Sequence, residues 1–121
     1  MEKVLGFGGL FFRSKDPETL AVWYREHLGI DLVPQGPDDR PWMAQGGATV
    51  FAPFAQDTSY FPASSSFMIN FRVKDLDAML EQLNAAGIAA KHTEDMPGVG
   101  RFAQLTDPEG TPIELWEPEE V

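Results

Sequence analysis

The sequence predicts an α+β domain made of two diverged copies of one strand–helix–strand unit. Three observations carry that prediction. FRSKD at residues 12–16 recurs as FRVKD at residues 71–75, an offset of 59. Each motif leads into an amphipathic helical stripe that ends at a glycine. Short apolar segments then repeat as well: Met43-Ala44-Gln45 matches Phe102-Ala103-Gln104 at offset 59, and residues 49–52 match residues 112–115 at offset 63.

The elements follow in chain order. The first module covers residues 5–54. Its helix carries Leu20, Trp23, Tyr24 and Leu28 on one face. Asp16 stands where a carboxylate accepts an orphan backbone N–H, Pro17 suits the first helical position, and Gly29 suits a left-handed cap. Residues 35–41 are an irregular loop. Residues 55–66 contain Pro62 and three consecutive serines and read as a linker. The second module covers residues 67–118. Asp75 caps a helix with Leu76, Met79, Leu80 and Leu83 on its stripe, and Gly87 ends it. Asp107-Pro108-Glu109-Gly110 has the pattern of a type I turn joining two strands. The acidic residues from Glu117 to Glu120 read as a solvated end.

With 121 residues the chain has the size of one domain, residues 1–121, with a true core. Nine Lys and Arg against 19 Asp and Glu give a net charge of −10. This balance excludes the basic surfaces that nucleic acids and anionic membranes require. It favours solubility and attraction for cationic ligands. The absence of cysteine removes disulfides, thiolate metal sites and Cys nucleophiles, and fits a cytoplasmic location. No stretch has the layout of a secretion signal or the length of a membrane span.

The residues 21–29 (AVWYREHLG) and the closing run at residues 100–117, with DPEG followed by IELWE, resemble the vicinal oxygen chelate superfamily. That superfamily includes glyoxalase I, bleomycin-resistance proteins and extradiol dioxygenases. The resemblance covers nearly the whole chain. It implies two tandem βαβββ modules with mixed sheets curving around a shared cleft, and a homodimer. In metal-using members it also implies ligands on the first and last strands of each module. Carried onto this chain, those positions are Gly9, Phe51, Met68 and Glu114, of which only Glu114 is a ligand for a hard divalent metal. A catalytic metal needs about three protein ligands, so no metal cofactor is expected. His27, at the end of the first helix, and His92 are expected at the surface.

Glu114 lies between Ile113 and Leu115 on a predicted strand, so alternation turns it away from them and towards the cleft. It is the candidate catalytic base or polar anchor. Asn70 and Arg72 share strand parity with Met68 and join it as candidate ligand-binding residues, with Phe51, Phe102, Trp116 and Trp42. Of Arg101 and Phe102, one is expected to face the cleft. Trp42, Tyr60 and Phe61 lie in or beside loops, where large side chains need a partner, a ligand or an interface. The expected function is binding of a small organic molecule in an aromatic cleft. The alternative is a lyase or isomerase of the glyoxalase I type that uses Glu114 as base or as its single recognisable metal ligand. A regulatory module without chemistry is the third possibility.

Overall fold

The computed structural model describes residues 1–119. The side chain of His92, and Glu120 at the end of the acidic run, lie outside the described residues. The chain divides into two compact units, residues 1–55 and residues 56 onward.

In the first unit the helix α1 spans Pro17–Leu28. The Asp16 carboxylate accepts the Thr19 N–H at 3.2 Å and the Thr19 hydroxyl at 2.8 Å. Pro17 opens the helix, and Gly29 ends it at φ 72°. Leu20 and Tyr24 are its buried stripe residues. His27, in the last turn, packs against the Trp23 ring with centroids 5.4 Å apart. Among the described residues of this unit, the segments flanking α1 form no strand ladder. The strands expected there lack a neighbouring strand to take their N–H and C=O groups, and a strand exists only through such pairing. Leu5, Phe11, Met43 and Phe51 are exposed.

The second unit holds the strands and helix β1 (Ile69–Arg72), α2 (Leu76–Ala85), β2 (Lys91–Met96), β3 (Gly100–Thr106) and β4 (Pro112–Pro118). The sheet order is β1-β4-β3-β2. β1 runs parallel to β4, while β2–β3 and β3–β4 are antiparallel. The sheet is therefore mixed, and the fold is the expected α+β class. α2 crosses over between the parallel pair and packs on one sheet face. Leu76 and Leu83 of α2, with Ile69, Ala103, Leu105, Ile113 and Leu115 from the strands, form the buried core of this layer.

Local chemistry explains the element ends. Asp75 accepts the Ala78 N–H at 3.0 Å. Gly87 has φ 79°, and Gly87 and Ile88 donate to the carbonyls of Asn84 and Leu83, closing the helix C-terminus. At the β3–β4 turn the Gly110 N–H reaches the Asp107 carbonyl at 3.0 Å. The buried Asp107 carboxylate also accepts the N–H groups of Glu109 and Thr111.

The acidic end is not simply solvated. Glu117 accepts the Leu76 N–H at 2.8 Å and so holds the start of α2, and Glu119 accepts the Gly98 N–H. The reason is geometric: β4 ends beside two sets of unpaired backbone donors, which carboxylates satisfy. No helix among the described residues is long and apolar enough to cross a membrane.

Candidate functional site

Strand alternation sorts the second unit's sheet into two faces. Ile113 and Leu115 face α2, with no solvent exposure. Glu114 and Trp116 therefore face the other way. The register sets Asn70 of β1 and Gln104 of β3 on either side of Glu114. The same register sets Arg72 and Phe102 on either side of Trp116. Met68, one residue before β1, shares their parity.

Glu114 is only 5% exposed. Three neutral donors converge on its carboxylate. Asn70 Nδ2 donates to Oε1 at 2.8 Å. The Tyr60 hydroxyl donates to Oε2, and Gln104 Nε2 lies 3.4 Å from the same oxygen. All three donors are neutral dipoles, which satisfy the buried carboxylate. Gln104 Nε2 also sits 4.0 Å from the Met68 sulfur. Beside this polar cluster, Phe102 and Trp116 stack with centroids 6.0 Å apart and planes 4° from parallel. The indole N–H of Trp116 donates to the Val99 carbonyl at 3.0 Å, which fixes the ring.

Tyr60 belongs to the segment read as a linker, where its large side chain is expected to need a partner, a ligand or an interface. Turn bonds shape that segment: Tyr60 N–H donates to the Thr58 hydroxyl, Ser65 N–H to the Pro62 carbonyl, and the Ser65 hydroxyl to the Phe67 carbonyl. The tyrosine ring is 38% exposed while its hydroxyl turns onto Glu114. Its pKa is pushed up to about 12, first by burial, then by donating to Glu114 and by the negative charges of Glu114 and Glu94. The folded pKa lies above the unfolded value of about 10. Tyr60 thus contributes stability that is complete below pH 10 and is lost as pH rises towards 12. A tyrosinate absorbance titration is expected to show one of the two tyrosines ionising near 12, and Tyr60→Phe is expected to remove that step. Ionisation of Tyr60 near pH 10 would contradict the geometry.

The structure thus brings Glu114, Asn70, Met68, Phe102 and Trp116 onto one face. Arg72 shares that face at an exposed position. Trp42 and Phe51 belong to the first unit. Trp42 is 44% exposed, and Phe51 lies 6.0 Å from the Phe7 ring. The choice between Arg101 and Phe102 is resolved: Phe102 joins the Glu114 face, whereas Arg101 turns to α2 and meets Asp77 at 2.8 and 3.1 Å. The guanidinium also lies 3.3 Å from Asp95, and it holds the Asp77 carboxyl below the usual carboxylate range. A hollow of about 120 Å³ beside these ion pairs is lined by Leu76, Thr93, Glu94, Asp95, Arg101 and Phe102.

Sequence reasoning missed Gln104, and marked Tyr60 only as a loop side chain in need of a partner, without pairing it with Glu114. Gln104 had a signal, since it shares parity with Phe102 and register with a strand carrying Glu114. Tyr60 had only its hydroxyl in an otherwise polar segment.

The donor set does not suit a hard divalent metal. Glu114 is the carboxylate on which three N–H and O–H donors converge, and the sulfur beside Gln104 is a thioether. Among the described residues, no group of three His, Cys, Asp or Glu side chains is placed to hold a metal.

The profile of the glyoxalase-like domain family matches residues 9–116. The chain belongs to that family. Solved structures agree in fold. The antibiotic binding protein TnmS3 from Streptomyces sp. CB03234 is 28% identical, with TM-score 0.58 over 87% of this chain and 88% of that one. A glyoxalase/bleomycin resistance protein from the same organism is 27% identical, with TM-score 0.56 over 85% and 92%. A glyoxylase/bleomycin resistance protein/dioxygenase domain from Frankia sp. EAN1pec is 20% identical, with TM-score 0.61 over 97% and 100%. A search of curated proteins finds no match. These neighbours place the glyoxalase-like domain in the vicinal oxygen chelate superfamily that its closing motif resembles.

Proposed function

We propose that this glyoxalase-like domain binds a small planar organic molecule on the Glu114 face of its sheet and does so without a divalent metal. The observation that carries the reading is the buried Glu114 carboxylate, held by three neutral donors, beside the stacked Phe102–Trp116 pair. An apolar, aromatic surface with a few fixed polar groups is the usual composition of a small-molecule site. Two relatives add support, since one at 28% identity is an antibiotic binding protein and one at 27% is a glyoxalase/bleomycin resistance protein. The net charge of −10 favours a cationic ligand.

Tryptophan fluorescence and thermal shift, read against a panel of planar aromatic cations and antibiotics, test this. Saturable quenching is expected, with stabilisation of about 2.7 kcal/mol at a ligand concentration 100 times Kd. Trp116→Phe is expected to remove part of the quenching. A flat response across the panel would overturn the binding reading. Protein purified without chelator is expected to hold far less than one Ni, Zn, Fe or Mn per chain. Stoichiometric metal would favour the lyase or isomerase reading instead, with Glu114 as a ligand.

The domain is further proposed to act as a homodimer. The exposed Leu5, Phe11, Met43, Val50 and Phe51 support this, because so much apolar side-chain surface in the first unit calls for cover. Light scattering is expected to give twice the 13.4 kDa chain mass.

A further inference from the structure

The two amides of the site have a fixed orientation, and that orientation has a direction. A carboxylate accepts hydrogen bonds and donates none, so only the NH2 ends of Asn70 and Gln104 can face Glu114. Asn70 Nδ2 does so at 2.8 Å and Gln104 Nε2 at 3.4 Å. The oxygen ends of both amides are thereby turned away from Glu114. Asn70 is exposed and Gln104 half-buried, so these oxygens belong to the accessible part of the face. Glu114 itself is buried and already receives three donors.

We infer that Glu114 is a positioning residue that sets the polarity of the site. It orients Asn70 and Gln104 so that their carbonyl oxygens meet the ligand. The face then selects planar aromatic molecules bearing N–H or O–H donors and rejects analogues in which those donors are alkylated. This rests on the binding reading above and adds the class of ligand. A site that presents acceptors to a ligand hydroxyl or amine leaves them unpaired when the donor is removed, which costs affinity. If Glu114 were only the ligand's anchor, the amides would contribute no such preference.

Matched probes of equal charge decide it: 2-naphthol against 2-methoxynaphthalene, and 2-aminonaphthalene against 2-(dimethylamino)naphthalene, titrated by tryptophan quenching. The wild-type chain is expected to prefer the donor-bearing member of each pair by about tenfold. Glu114→Gln lets both amides rotate, and the preference is expected to fall below about threefold. Asn70→Leu, at an exposed position, removes one acceptor and is expected to halve the preference or more, so the test survives if Glu114→Gln does not fold. In ligand-free protein, the side-chain NH2 resonances of Asn70 and Gln104 are expected to shift in Glu114→Gln, which reports that both amides have lost the carboxylate. Equal binding of both members of each pair would overturn this inference and leave the binding reading intact. Failure of every probe to bind would overturn both.

Discussion

Gly100→Ala is expected to destabilise the second unit by about 3 kcal/mol or more, the sum of backbone strain and steric overlap. Gly100 is buried with φ 138°, a region that L side chains rarely adopt. An added Cβ would lie 2.8 Å from Trp116 Nε1 and 3.0 Å from the Glu119 nitrogen, and closer still to the Glu117 carbonyl oxygen. Two of these neighbours are backbone atoms of the β4 end, which is paired with Gly100 through Pro118, so the chain cannot yield without opening the ladder. Gly98 and Gly110 separate the two costs. Both have positive φ, but nothing lies within 4 Å of an added Cβ. Their alanine variants carry the conformational cost alone, about 1 kcal/mol. Thermal denaturation is the measurement. A fall in Tm of roughly 10–25 °C is expected for Gly100→Ala. A fall no larger than that of Gly110→Ala would show that the overlap is relieved by some movement of the strand end. The Trp116 ring is held by the same corner, so the ligand response should weaken with it.

Glu114→Ala is the second large effect. It removes the acceptor shared by Tyr60, Asn70 and Gln104 and leaves space in a site only 5% exposed. Stranded donors and a cavity together cost about 2–3 kcal/mol, kept from being larger because Tyr60 and Asn70 sit where water can replace the lost bond. Urea denaturation is expected to show the loss at unchanged slope. The Tyr60 pKa should return towards its ordinary value, since two of its named causes are the hydrogen bond and charge of Glu114. Ligand binding should lose its donor preference at the same time. A variant within about 0.5 kcal/mol of wild type, the size of a neutral surface change, would mean that the cluster contributes little to the fold.

Much of this was legible in the residues. The repeated FR-x-KD motif places both helices, and Asp16, Asp75, Gly29 and Gly87 mark their ends because capping is chemistry between neighbours in sequence. The Asp107–Gly110 turn is legible for the same reason. Alternation alone turned Glu114 away from Ile113 and Leu115. What was not legible were contacts made across the sequence. Glu117 holds the start of α2 from 41 residues away, and Tyr60 reaches Glu114 from 54 residues away. Arg101 went to Asp77 rather than to the Glu114 face because a strand's parity is set by its partner's register.

By itself the sequence determined the α+β class and the caps and turns, because each depends on local periodicity or on residue identity. The tertiary structure alone decided that Glu114 is shared by a tyrosine and two amides, that Phe102 stacks on Trp116, and that Gly100 admits no side chain. Those facts depend on strand register and on the path of the segment before β1. Both are fixed by long-range packing, which no local pattern encodes.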